Sequence, residues 1–184
     1  MESRAKRLGH PGMQSGRLSL MAAVALAVTL AAAPQSDEQT FIKEAVQGNL
    51  TEVQLGELAA QRAETEPVRK FAETVRMDHQ AALKRATNLA KSLKVEPPTE
   101  PATEARGIYD GLSQLSGSEF DATFVSHMIT LHEAAIARYS RNASSNNDAV
   151  ASMVAEALPK LKAHLATAQA LQKGAPAPAH TQHP

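Results

Sequence analysis

KVEPPTEPATEARGIYDGLSQLSG, residues 94–117, is the stretch that decides the architecture. Its first half, Glu96-Pro97-Pro98-Thr99-Glu100-Pro101, cannot be helical, because each proline removes a backbone donor and restricts the residue before it. In its second half, Ile108, Leu112 and Leu115 hint at a short amphipathic helix that covers whatever lies beneath. On both sides stand helical hairpins. A connector this long between two hairpins permits the single crossover of a ferritin-like bundle, whereas an up-down-up-down bundle needs no such length. The expected fold is therefore all-α, a four-helix bundle with ferritin-like connectivity.

Upstream, the first helix is expected from about Asp37 to Glu64, opened by a Ser36/Gln39 capping box. Phe41, Ala45, Gly48, Glu52, Leu55 and Ala59 share one face by their three-and-four spacing. Thr65-Glu66-Pro67 makes the turn, and its proline is tolerated in the first turn of the next helix. That second helix is expected from about Pro67 to Leu93, burying Val68, Phe71, Val75, His79, Ala82, Ala86 and Leu93. Downstream, the third runs from about Ser118 to Arg141 with Phe120, Phe124, Val125, Met128, Leu131, His132, Ala135 and Tyr139 inward. After a polar loop at Asn142–Asp148, the fourth runs from about Ala149 to Gln172 and carries Val150, Val154, Leu158, Leu161, His164, Ala168 and Leu171. Pro159 inside it is expected to kink it or divide it in two. Met77 and Met128 fall at core spacing and read as gap-fillers rather than copper ligands.

The ends of the chain read differently. Arg4, Lys6, Arg7 and Arg17 precede an uncharged apolar run from Leu18 to Ala33, the order of a secretory signal peptide. The run is short for a membrane span, so export to the periplasm of a Gram-negative bacterium is expected, with an uncleaved anchor the other reading. Residues 1–36 are thus assigned to the signal, 37–173 to the bundle, and 174–184 to a disordered Ala/Pro/His tail. The chain has no Cys, which excludes a disulfide framework and a lipid-anchoring cysteine. Without the first 36 residues Lys+Arg falls from 19 to 15 and Asp+Glu from 19 to 18, a net charge of −3. Charges of both signs are interspersed, so no nucleic-acid surface is expected, and no membrane span after processing.

One residue of ligand type interrupts the apolar stripe of each helix: Glu52, His79, His132 and His164. Facing side chains in a bundle core are how metal sites are assembled. Neutral imidazoles with a carboxylate suit a divalent transition metal (Zn, Cu, Fe, Mn or Ni), and without thiolates nothing selects a soft ion. Glu133 is expected as a further ligand or as the acceptor that fixes a histidine tautomer, and Asp78 as the same kind of acceptor beside His79. Glu52 and His79 stand level, each about 20 Å from their shared turn at 1.5 Å per residue. His132 and His164 differ in height by roughly 6–10 Å, and His127 matches His164 better, so His127 competes with His132 for the third place. His180 and His183 read as part of a spacer, and the Asn49-Leu50-Thr51 and Asn142-Ala143-Ser144 triplets as chance matches to the glycosylation pattern. The competing reading of the whole layer is a set of hydrogen-bonded polar groups that fixes helix register without metal.

Ordered motifs run through the same region. They are Phe41-Ile42-Lys43-Glu44-Ala45, Gly48-Asn49-Leu50-Thr51-Glu52-Val53, Val68-x-x-Phe71-Ala72 with Asp78-His79, and Phe120-Asp121-x-x-Phe124-Val125. His132-Glu133-x-Ala135-Ile136 and Leu158-Pro159-x-Leu161-x-x-His164-Leu165 complete the set. Over about Thr40 to Leu171 the chain resembles a bacterial exported family called domain of unknown function 4142. The resemblance implies a ferritin-like bundle in the envelope, no established activity, and recurring positions at Glu52, His79, His132-Glu133 and His164. Di-iron carboxylate proteins carry Glu-x-x-His pairs, but Arg76 and Ile129 stand three residues before His79 and His132. No nucleophile–base pair or phosphate loop stands out either. The sequence thus points to an exported protein that binds or buffers a metal, or to a structural or stress-related periplasmic protein without one.

Overall fold

Apolar residues at helical spacing, broken by turn residues, give five helices in the computed structural model, which describes residues 37–174. They are α1 (Asp37–Arg62), α2 (Glu66–Ser92), α3 (Thr103–Ser113), α4 (Gly117–Arg141) and α5 (Asp148–Gln172). The export segment expected before Asp37, with the capping residue Ser36, and the tail expected over residues 174–184, apart from Gly174 itself, lie outside the described residues. Four bundle helices were expected, with a short amphipathic helix hinted at in the connector. The fifth, α3, is the second half of the connector, folded because Leu112 is wholly buried and Ile108 partly so against the core. Among the described residues there is no strand, and no helix is long and apolar enough to cross a membrane.

The α1–α2 turn is only Ala63-Glu64-Thr65, and the two helices pack along each other more extensively than any other pair. Gly56 permits this: a Cβ there would lie 3.0 Å from both the Ala72 carbonyl oxygen and the Arg76 nitrogen. The turn is capped from another helix. Asp121 of α4, itself buried, accepts from the Glu64 and Thr65 backbone N–H groups at 2.9 Å each and from the Thr65 hydroxyl at 2.7 Å. At the start of α5, the Asn147 side chain accepts from the N–H groups of Ala149 at 3.1 Å and Val150 at 3.4 Å, an ordinary N-cap. Pro159 does not divide α5, which runs unbroken through it. Both Pro159 and Ala155, whose carbonyl loses its helical donor, are exposed, so the gap opens to solvent rather than to the core.

Two apolar clusters make the core. One gathers Leu55, Leu58, Val68, Phe71, Val75, Leu112, Phe120, Phe124, Met128 and Ala168. The other gathers Phe41, Ile42, Ala45, Ala90, Val95, Tyr139, Val150, Val154 and Leu161. Reading these along each helix, α1 and α5 run from the second cluster to the first, while α2 and α4 run from the first to the second. Helices α2 and α4 are therefore parallel, and the connector returns the chain along the length of the helices. Between the clusters lies one polar layer, with Glu52, His79, His132 and His164 at the crossing points. Met128 is fully buried, as expected of a gap-filler, but Met77 is 63% exposed. It stands two residues, about 200° of helix, from the buried position of His79.

Candidate metal centre

Each long helix delivers a buried ligand-type side chain to the layer from a face that is otherwise mostly apolar, although Asn49 is buried three residues before Glu52 and Thr167 three residues after His164. Glu52 and His79 are 5% exposed, His164 1%, and His132 not at all. His132 and His164 meet although one lies nine residues before the end of α4 and the other sixteen after the start of α5. The loop between them takes up the offset. Glu38, in the first turn of α1, accepts from the Ser145 hydroxyl at 2.8 Å and the Asn147 amide at 3.3 Å. Six loop residues thus climb past the end of α4 to the level where α1 begins, and α5 starts from there. His127 is half-buried and outside the cluster.

The rings of His79, His132 and His164 stand with centroids 5.2–5.5 Å apart. One nitrogen from each lies within 4.8 Å of the other two. The remaining nitrogens are held from outside. His79 Nδ1 faces Glu52 Oε2 at 2.8 Å and Asn49 Oδ1 at 2.9 Å. His132 Nδ1 faces the Met128 carbonyl at 2.8 Å and Glu52 Oε1 at 3.5 Å. His164 Nε2 faces Asp78 Oδ2 at 3.0 Å. Since all these partners are acceptors, each outer nitrogen donates to its partner, and the other nitrogen of each ring is the one turned inward. His79 Nε2 is buried and has no hydrogen-bond partner. His132 Nε2 and His164 Nδ1 face each other at 3.1 Å. Two lone pairs at that distance repel unless a proton or a metal ion lies between them.

Electrostatics favour this protonation pattern. Burial raises the pKa of Glu52, but the rings of His79, His132 and His164 outweigh it and hold the carboxyl at about 2. Asp78 is held well below the ordinary carboxylate range, first by its hydrogen bond to His164 and then, against partial burial, by Lys160 at 2.6 Å. Burial pushes His132 and His164 below the usual imidazole value, the nearby carboxylates opposing it. Both rings are therefore neutral at pH 7, the state a ligand needs. Burial also raises the Tyr139 phenol to about 12.

Of the residues singled out from the sequence, the structure brings together His79, His132, His164 and Glu52. Glu52 sits behind two of the rings rather than at their point of convergence. Glu133 is exposed, because it lies about 100° of helix beyond His132 and so turns away from the layer. Asp78 supports His164 and not its neighbour His79, for the same reason of angular spacing. Asn49 was missed as a site residue. It is buried on the Glu52 face, donates to the Ala45 carbonyl at 2.7 Å and accepts from His79, which also removes it from any glycosylating surface. Its position three residues before Glu52 was the available signal. Beside the layer is a cavity of ≈ 40 Å³, lined by Glu52, His79, His164, Asn49 and Tyr139 and bordered by Arg85, Arg138 and Lys160.

Residues 23–171 match the family model described as Domain of unknown function (DUF4142). The chain belongs to that family. No curated protein matches it. Among solved structures, it is similar to a DUF305 fragment from Deinococcus radiodurans, 17% identical, with a TM-score of 0.67 over 77% of this chain and 99% of that one. It is also similar to CopM in its Cu(I)-bound form, 18% identical, with a TM-score of 0.66 over 76% and 98% of the two chains. CopM in its Cu(II)-bound form gives 17%, 0.64, 74% and 96%. At these identities the likeness shows a shared all-helical fold.

Proposed function

We propose that this protein is an exported envelope protein that binds one transition-metal ion through His79, His132 and His164. The observation that carries the reading is the orientation of the three rings. Each has its outer nitrogen tied to an acceptor, and one nitrogen from each lies within 4.8 Å of the others. Ligands to one ion at about 2.1 Å stand roughly 3.4–3.6 Å apart, so loading requires only a small closure. Glu52, Asp78 and the Met128 carbonyl are the groups that fix tautomer and raise ligand basicity, the usual partners of metal-bound histidine. Glu133 is left out of the site in this reading. Copper is the first ion to test, since the similar CopM has been observed with Cu(I), Cu(II) and Ag bound. Parallel α2 and α4 support a ferritin-like crossover among the four long helices, and the apolar run Leu18–Ala33 supports export to the periplasm.

Equilibrium dialysis of untagged protein against Cu(I), Cu(II) and Zn(II) tests the reading, with His180→Ala and His183→Ala introduced to silence the tail. The expected result is one tightly held equivalent, lost in His132→Leu. Unchanged binding in that variant, or no binding with a melting curve indifferent to all three ions, would instead favour a histidine layer that only sets register.

A further inference from the structure

The cavity beside the histidines is not needed to hold an ion, and its position suggests a second ligand. Resting on the metal reading above, we propose that the bound ion keeps one coordination position open toward this cavity, where it takes a small anion of two or three heavy atoms. Three observations converge on it. Two of the three ligand rings, His79 and His164, line the cavity, and among the described residues its nearest carboxylates are already engaged: the oxygens of Glu52 by His79 and His132, and those of Asp78 by His164 and Lys160. The rest of the inner wall is Ala45, Ala82, Ala157, Leu161 and a protonated Tyr139. Tetrahedral ions with three protein ligands complete their shell from solution.

Charge then selects the sign. The cavity is lined by three carboxylates (Glu44, Glu52 and Asp78) and three cations (Arg85, Arg138 and Lys160), but Arg85 is offset by Glu156 outside the lining, so Glu52 is left at −1 and a divalent ion turns the balance to +1. These cations are already paired: Arg138 with Glu44 at 2.9 Å, Lys160 with Asp78 at 2.6 Å, and Arg85 with Glu156 at 3.4 Å. With three neutral imidazoles as ligands, the metal adds its full charge to a buried place, and an anion from solution offsets it. Size limits the choice. A cavity of ≈ 40 Å³ is about three times the roughly 10–15 Å³ that one water needs, so it admits a ligand of two or three heavy atoms.

The experiment uses protein loaded with one equivalent of Cu(II), the ratio verified by metal analysis, and titrated with sodium azide. The expected result is a saturable 1:1 change, read as a new azide-to-copper charge-transfer band and an altered electron paramagnetic resonance spectrum. Gly48 provides the control, since a Cβ there would meet nothing nearer than Arg138 Nη1 at 4.0 Å. Gly48→Val places bulk in the cavity without touching a histidine and should weaken azide at least tenfold at an unchanged copper ratio. Gly48→Ala, which fills less, should weaken it by less. Copper-loaded protein whose spectra ignore azide overturns the open position and leaves the metal reading intact. Azide that binds wild type and Gly48→Val equally overturns the cavity as its place. Protein that takes up no copper overturns both proposals.

Discussion

Glu52→Gln separates a carboxylate that supports metal ligands from one that merely holds helices in register. Glu52 makes one short contact, 2.8 Å to His79 Nδ1, and one long one, 3.5 Å to His132 Nδ1. A hydrogen bond to a charged group contributes about 1.5–3 kcal/mol, and a neutral amide keeps part of it. Neither ring loses its last acceptor, because His79 keeps Asn49 and His132 keeps the Met128 carbonyl. The amide also removes the cost of burying a charge. The metal-free variant should therefore melt with a stability within about 1.5 kcal/mol of wild type. Metal affinity should fall by about 10–100-fold, the usual effect of losing such a support. At saturating metal that is about 1.4–2.7 kcal/mol less stabilisation, a metal-induced rise in Tm smaller by roughly 3–10 °C. Calorimetry with and without copper, alongside a competition titration, measures both halves. A metal-free variant weakened by more than about 3 kcal/mol with unchanged copper affinity would refute the reasoning.

Stability of the metal-free protein should depend on pH in two steps. Because burial holds His132 and His164 below 6.5, the folded state binds fewer protons than the unfolded one there, and stability, complete above 6.5, is lost as pH falls below it. Glu52 adds a second loss as pH falls from 4.5 toward 2, and flat melting temperatures between pH 7 and 5 would contradict the first step. Asp121→Ala strips the α1–α2 turn of three accepted hydrogen bonds and should cost about 1.5–3 kcal/mol by urea denaturation, with Asp121→Asn recovering part; a change under 0.5 would be inconsistent with the cap. Glu133→Ala and His127→Ala should each leave copper affinity within about twofold and stability within about 0.5 kcal/mol, and a large loss of binding in either would return that residue to the site.

Helix positions were legible because each stripe is long and regular, and the proline run at 96–101 left no doubt that the hairpins are separate. The polar layer was legible for the same reason: His79, His132 and His164 stand where the pattern demands an apolar residue. Less legible was everything set by direction rather than spacing. A one-residue step rotates a side chain by about 100°, so adjacency in sequence wrongly suggested that Glu133 and Asp78 serve the histidines beside them. Heights counted from loop centres made His127 a rival to His132, because the climb of residues 142–147 depends on Glu38, distant in sequence. The close approach at Gly56 and the cap supplied by Asp121 are likewise long-range, and no local pattern announces either.

X-ray absorption at the copper edge on untagged, copper-loaded protein tests the central claim most directly, since it counts ligands without reference to stability. Three imidazole nitrogens at about 2.0–2.1 Å, falling to two in His132→Leu, are the predicted result. A first shell of oxygen without imidazole scattering, or a shell that His132→Leu leaves unchanged, would contradict it.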